Sequence, residues 1–214
     1  MATVLRVGHR APRCTVLGPG TRAVLWLQGC ARRCPGCIAR ELWPPDGGRE
    51  TAVAELVDWF LGLEGVDGLT VSGGEPMDQA GGLSQLLARI RRERPTASVI
   101  CFTGYTIEEL LKDTADRRWV LGLVDVLVDG PYLEDQPTDL PLRGSANQRL
   151  WLLSGRHAEA DFAPQGVEVV VEPDGFYIMG IPPHGFRGRL EGLLRGKGVC
   201  LPQQAGGVTD ERST

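Results

Sequence analysis

Residues 23–37 read AVLWLQGCARRCPGC: a short apolar run, a glycine, then three cysteines spaced Cys30-x3-Cys34-x2-Cys37. Ala23–Gln28 has the composition of a strand that ends just before Cys30. Outward from this stretch the chain alternates. Thr51–Leu63 carries Val53, Leu56, Val57, Phe60 and Leu61 at i, i+3, i+4, i+7 and i+8, the apolar stripe of an amphipathic helix. Gly68–Ser72 (GLTVS) reads as a second strand, followed by the turn GGEP and a helix with Leu83, Leu86, Leu87 and Ile90 on one face, closed by Pro95. Ser98–Thr103 (SVICFT) is a third strand, and Thr106-Ile-Glu-Glu109 has the form of a capping box opening a helix. Val124–Val128 and Gln148–Leu153 are again strand-like.

Strand–helix–strand repetition predicts an α/β fold with a parallel sheet and right-handed crossovers. Five or six such units fit residues 1–155, too few for a closed eight-stranded barrel, which takes about 250 residues. The expected architecture is an open, partial parallel β/α barrel over residues 1–155. Residues 156–201 predict a small extension. In it, Val167–Glu172, a turn at Pro173-Asp174-Gly175 and Phe176–Met179 make a β-hairpin, and a short helix runs from about Gly185 to Arg195. Residues 202–214 are expected to be a disordered tail.

Ligands of a parallel β/α sheet bind beyond the carboxyl ends of its strands. The cysteine stretch follows the first strand, Gly73-Gly74-Glu75-Pro76 the second, Thr103-Gly104-Tyr105 the third and Asp129-Gly130-Pro131 the fourth. Arg143-Gly144-Ser145-Ala146-Asn147 leads into the next strand. These motifs are expected to crowd one rim.

The cysteine spacing narrows the chemistry. Structural zinc takes four ligands, usually as two Cys-x2-Cys halves; Cys34 and Cys37 make one half, and Cys14, Cys200, His157 and His184 are isolated. A 4Fe–4S cluster takes one thiolate per iron, so three cysteines leave one iron open to an outside ligand. Pro35 and Gly36 suit a tight loop whose amides can face the sulfur atoms and that ligand. A zinc-binding interaction module stands as the other reading of the cysteines, beside chance clustering.

Cys-x3-Cys-x2-Cys after the first strand, joined to Gly-Gly-Glu-Pro after the second, resembles the radical S-adenosylmethionine (SAM) superfamily. Within it, VLGPGTRAVLWLQGCARRCPGC, LTVSGGEPMDQA, FTGYTIEEL and VDVLVDGPY...LPLRGSANQRL resemble, in that order, segments of the activating enzymes of anaerobic ribonucleotide reductase, over roughly residues 5–153. The resemblance implies one [4Fe-4S] cluster on Cys30, Cys34 and Cys37 and S-adenosyl-L-methionine on the open iron. It implies an external one-electron donor, and a large glycyl-radical enzyme as the partner from which hydrogen is taken. It puts Gly73, Gly74, Glu75 and Pro76 against the SAM amino group. Modification of another protein, a peptide or a metabolite is the alternative outcome of the same chemistry.

Around that centre, Gly36, Thr103 and Asp129 are candidate cofactor contacts, with Tyr105 beside them. Arg143, Asn147, Gln148 and Arg149 are candidates for recognising SAM or the partner. Arg32 and Arg33 suit charge compensation at a cluster, binding of an electron donor, or plain solubility. Cys101 is expected in the core, and His157 and His184 at the surface. Arg89, Arg91, Arg92 and Arg94 suit the end of a helix dipole. A net charge of −4 gives no electrostatic reason for a nucleic-acid or membrane partner. With no run of eighteen apolar residues and no apolar signal core near Met1, a cytoplasmic, reducing location is expected for the six cysteines.

Overall fold

The computed structural model describes residues 3–164, 166–172, 175–183 and 185–196. It divides into two compact units, Met1–Pro183 and His184–Thr214.

The first unit is built on a seven-stranded mixed sheet in the order β3-β1-β2-β4-β5-β6-β7. Its centre is parallel: β2 (Arg22–Leu27), β4 (Gly68–Gly73), β5 (Ser98–Phe102) and β6 (Val126–Asp129). On one flank β1 (Val4–Cys14) runs antiparallel to β2 and to the short β3 (Arg49–Ala52). On the other, β7 (Arg149–Leu152) runs antiparallel to β6. The parallel strands lie in chain order with no reversal. Right-handed crossovers between them therefore fall on one face, and α1 (Val53–Leu61), α2 (Ala80–Glu93), α3 (Ile107–Lys112) and α4 (Ala115–Leu121) send their buried side chains into a single cluster with Ala23, Leu25 and Leu27.

The apolar run of β2 has a physical reason. Ala23, Leu25 and Leu27 meet the helices, while Val24 and Trp26 face a second cluster with Ala11, Cys14, Leu17 and Met179. A strand covered on both faces does not alternate. The same division splits β5, with Val99 and Cys101 toward the helices and Ile100 and Phe102 toward Val126, Val128, Leu142 and Phe162.

Met179 belongs to β9 (Gly175–Gly180), which pairs with β8 (Val167–Glu172) as an antiparallel hairpin. The hairpin meets the sheet face opposite the helices. His9 lies 5.4 Å from the Trp26 ring and 4.6 Å from that of Tyr177, and the Thr15 amide donates to Glu168 at 2.8 Å. The expected turn positions Pro173 and Asp174 lie outside the described residues, as do Cys200, His184 and residues 202–214. In the second unit the described helix is α5 (Phe186–Arg195).

Three expectations change. The sheet is mixed, because β1, β3 and β7 join its edges in directions that strand composition does not encode. His157 is only partly exposed: its side chain is 13% accessible beside Asp161 and Phe162. The arginines at the end of α2 also have partners. Arg91 pairs with Asp125 at 2.5 Å, and Arg94 donates to the Leu61 carbonyl at 2.7 Å.

Candidate functional site

The parallel register puts Leu27 beside Gly73, Val71 beside Cys101 and Phe102 beside Val128, so the four strands end at one level. Backbone bonds continue the ladder into the loops. Gly74 N–H donates to the Leu27 carbonyl at 2.7 Å and Glu75 N–H to that of Gly29 at 2.8 Å. Thr103 N–H reaches Val128 at 2.9 Å and Gly130 N–H reaches Tyr105 at 3.0 Å. Glycine is required where these loops cross. A Cβ at Gly74 would overlap the Gly29 carbonyl, and one at Gly73, where φ is +113°, would overlap the backbone of Leu27.

Glu75 joins the two halves of this rim. It is 1% exposed, and its carboxylate accepts from Thr103 Oγ1 at 2.7 Å, Gly104 N–H at 2.7 Å and Met77 N–H at 3.0 Å. Burial pushes its pKa up against those three donors. The carboxylate is thus a cross-tie between the ends of β4 and β5, and Thr103 is part of that tie. Pro76 is buried at the start of the short helical turn that Glu75 caps.

The cysteine loop hangs from the end of β2. Cys30 N–H donates to the Trp43 carbonyl at 3.1 Å, Gly29 N–H to that of Leu42 at 2.8 Å, and Cys37 N–H to that of Cys34 at 3.1 Å. The Gln28 side chain reaches the Pro44 and Glu41 carbonyls at 2.8 and 3.1 Å, holding the returning strand of the loop. Arg33 adopts a left-handed backbone with φ +46°, and Gly36 one with φ +73°. A side chain at Gly36 would meet the Glu134 carboxylate, so the loop from residue 131 to 147 lies against it.

The three thiols are close enough for Cys34 to raise the pKa of both Cys30 and Cys37, though burial is the larger cause in each. The Arg32 and Arg33 amides face Cys30, and the Ala39 amide and Trp43 indole face Cys37; these donors favour the thiolates. Among the described residues no three His, Cys, Asp or Glu side chains converge to hold a metal ion. A 4Fe–4S cluster makes a different demand, one thiolate on each of three irons with N–H donors toward sulfur, and this donor set fits it. A cleft of about 440 Å³ opens beside Cys30, lined also by Gln28, Trp43, Asp78 and Gln79.

Asp129 stands apart from this group. It is fully buried at the end of β6, accepting from Ile107 N–H at 2.7 Å and from Arg149 at 2.5 and 3.0 Å. Asn147 and Gln148 pin their own loop to the Pro131 and Gly130 carbonyls at 2.8 and 3.0 Å. Cys101 is buried in the core. The site residues without a clear sequence signal are Trp43, Gln28 and Gln79, which act through contacts distant in the chain. Gln79 Nε2 donates to the Gln28 carbonyl at 3.0 Å.

Residues 16–151 match the family model of the 4Fe-4S single cluster domain. The anaerobic ribonucleoside-triphosphate reductase-activating protein of Vibrio cholerae serotype O1 is 36% identical over 143 residues, covering 62% of this chain and 88% of that protein. Its namesake from enterobacteria phage T4 is 35% identical over 141 residues, 64% of this chain and 86% of its own. That of Escherichia coli K12 is 34% identical over 143 residues, 62% and 89%. The chain belongs to the 4Fe-4S single cluster family, among the anaerobic ribonucleoside-triphosphate reductase-activating proteins.

Proposed function

We propose that this chain is a radical SAM activase that generates a glycyl radical on an anaerobic ribonucleotide reductase. The observation that carries the reading is the grouping of Cys30, Cys34 and Cys37 at the strand-end rim, bonded through Gly29 to Glu75, in a chain of this family. When bound, the cluster and SAM, with an electron from an external donor, supply a 5′-deoxyadenosyl radical that takes hydrogen from a glycine Cα.

The chain's own residues prepare that chemistry. Cys30, Cys34 and Cys37 would hold three irons, and the amides and indole facing Cys30 and Cys37 would stabilise the bound thiolates. Gly73 and Gly74 let the loop pack on Leu27 and Gly29, which places the Gly73–Pro76 segment at the rim that Glu75 locks, where the ligand amino group would bind. Gly36 leaves space between the loop and Glu134. Asp129 would act at one remove, by fixing the start of α3.

Two features support the open-barrel reading: the unreversed strand order, and the packing of α1–α4 on one face of the sheet. On this reading residues 1–155 form the catalytic barrel and 156–201 an added segment. The clustered cysteines favour a reducing, cytoplasmic setting. No helix among the described residues is long and apolar enough to cross a membrane.

The test is anaerobic reconstitution with iron and sulfide, followed by reductant and SAM. Four irons and four sulfides per chain with release of 5′-deoxyadenosine are expected, both lost in Cys34→Ser. Stoichiometric zinc without deoxyadenosine would overturn the reading.

A further inference from the structure

Arg32 lies between two of the cysteines, yet its side chain is only 24% exposed and turns toward the end of β5. Its guanidinium carbon sits 4.0 Å from the centre of the Tyr105 ring, and that of Arg117 sits 4.1 Å from the same centre. Two planar cations at that distance cannot share one face, so the ring is held between them. Arg117 is itself fixed, donating to the Met77 carbonyl at 3.0 Å, to Asp113 at 2.5 Å and to Asp78 at 3.1 Å. The Tyr105 hydroxyl donates to Asp78 at 2.8 Å, which sets the ring plane.

On its inner side Arg32 faces carboxylates. Its Nε is 3.9 Å from Glu75 Oε2 and its Nη2 is 3.5 Å from Glu109 Oε2. The Nε is buried and makes no hydrogen bond. The path is tight: a Cβ at Gly104 would overlap Arg32 Cδ. Among the described residues, no other side chain from 31 to 36 makes a hydrogen bond or ion pair with the strand ends.

We propose that Arg32 is the positioning residue that seats the Cys30–Cys37 loop on the rim, by stacking on Tyr105 and facing Glu75. The side chain has to be arginine, because a planar guanidinium can lie flat on the ring while presenting N–H groups edge-on to carboxylates; a lysine ammonium cannot do both. The consequence is local. Without the latch, the loop keeps its backbone anchors at Gly29 and Cys30 but loses its side-chain hold on the ends of β4 and β5.

Amide hydrogen exchange across residues 30–37 of the protein without cluster tests this directly, because it does not depend on the proposed function. Arg32→Met should speed loop exchange about tenfold, the loss of roughly one desolvated cation–π contact. Tyr105→Leu should do the same from the other partner, and Arg32→Lys should recover only part of the protection. Exchange in β2, β4 and β5 should stay as in the wild type. The chemical consequence rests on the cluster reading: iron should pass to a ferrous chelator faster in both latch variants. Loop exchange within twofold of wild type in Arg32→Met and Tyr105→Leu would overturn the latch. Faster exchange in a protein that never takes up iron would keep the latch and remove the cluster.

Discussion

Arg22 begins β2 and Arg32 follows its end, and their surroundings are opposites. Arg22 is fully buried and all five of its N–H groups have acceptors. Nε donates to Thr70 Oγ1 at 2.6 Å, Nη1 to Ser98 Oγ at 2.8 Å and the Pro19 carbonyl at 3.3 Å, and Nη2 to the Leu69 and Ser98 carbonyls at 2.9 and 3.0 Å. Burial lowers its pKa to about 10, against the opposing charges of Asp125 and Asp67 nearby. Arg32 is partly exposed, stacked on a ring, and has an Nε that faces Glu75 without a hydrogen bond. The amino end of the strands is thus a closed polar knot joining β2, β4 and β5. The carboxyl end keeps unfilled polar capacity beside three thiols. A sheet of this kind divides its labour by end, and these arginines differ accordingly: one completes the fold, the other lies at the rim beside the cysteine loop.

The sharpest way to break that contrast is at the closed end. Arg22→Met keeps much of the volume but strands the Leu69 and Ser98 carbonyls in the core. Roughly 3 kcal/mol of stability should disappear in urea unfolding, while deoxyadenosine formed per folded, loaded molecule stays at the wild-type level. A loss below about 1 kcal/mol would contradict the knot.

At the open end Glu75→Ala removes the acceptor of Thr103, Met77 and Gly104 together. One of the three donors, Gly104 N–H, is only partly buried, so a smaller loss of roughly 2 kcal/mol is expected. SAM binding should fall far more than stability does. Equal losses in both would mean that the rim serves folding alone.

The smallest effect concerns pH, at the solvent edge. Hydrogen bonding to Arg149 holds the Glu108 carboxyl down at about 2, below its ordinary value of 4.5. A depressed pKa contributes stability above 4.5 that is lost as pH falls toward 2. Urea midpoints at pH 5 and pH 3 should therefore differ more in wild type than in Glu108→Gln, which leaves the Arg149–Asp129 pair in place. The same pH dependence in both would separate this pair from stability.

Much of this was legible in the chain because it is local. A strand apolar on both faces, the Thr106–Glu109 capping box and the cysteine spacing need only neighbouring residues, and each lies where its pattern implies. β1 was obscured by two irregularities, between Val7 and His9 and between Ala11 and Cys14, which break its alternation and let Gly8, Pro12 and Arg13 into the strand. The antiparallel direction of β7 leaves no trace in its composition. Long-range pairing explains the other differences. Asp129 looks like a turn aspartate until Arg149 is folded onto it, and Glu75 looks like a free acceptor until the end of β5 supplies its donors. Arg32 looks like a solubilising residue until Tyr105 lies beneath it.

The most direct measurement of the central claim, that the open end carries radical chemistry directed at a protein partner, is anaerobic electron paramagnetic resonance. The loaded protein would be mixed with reductant, SAM and the organism's own anaerobic ribonucleotide reductase. A glycyl-radical doublet on the reductase that requires SAM and is absent with Cys34→Ser is the expected result. Deoxyadenosine release with no radical on the reductase would contradict the assigned partner, and a loaded cluster giving neither would contradict the chemistry itself.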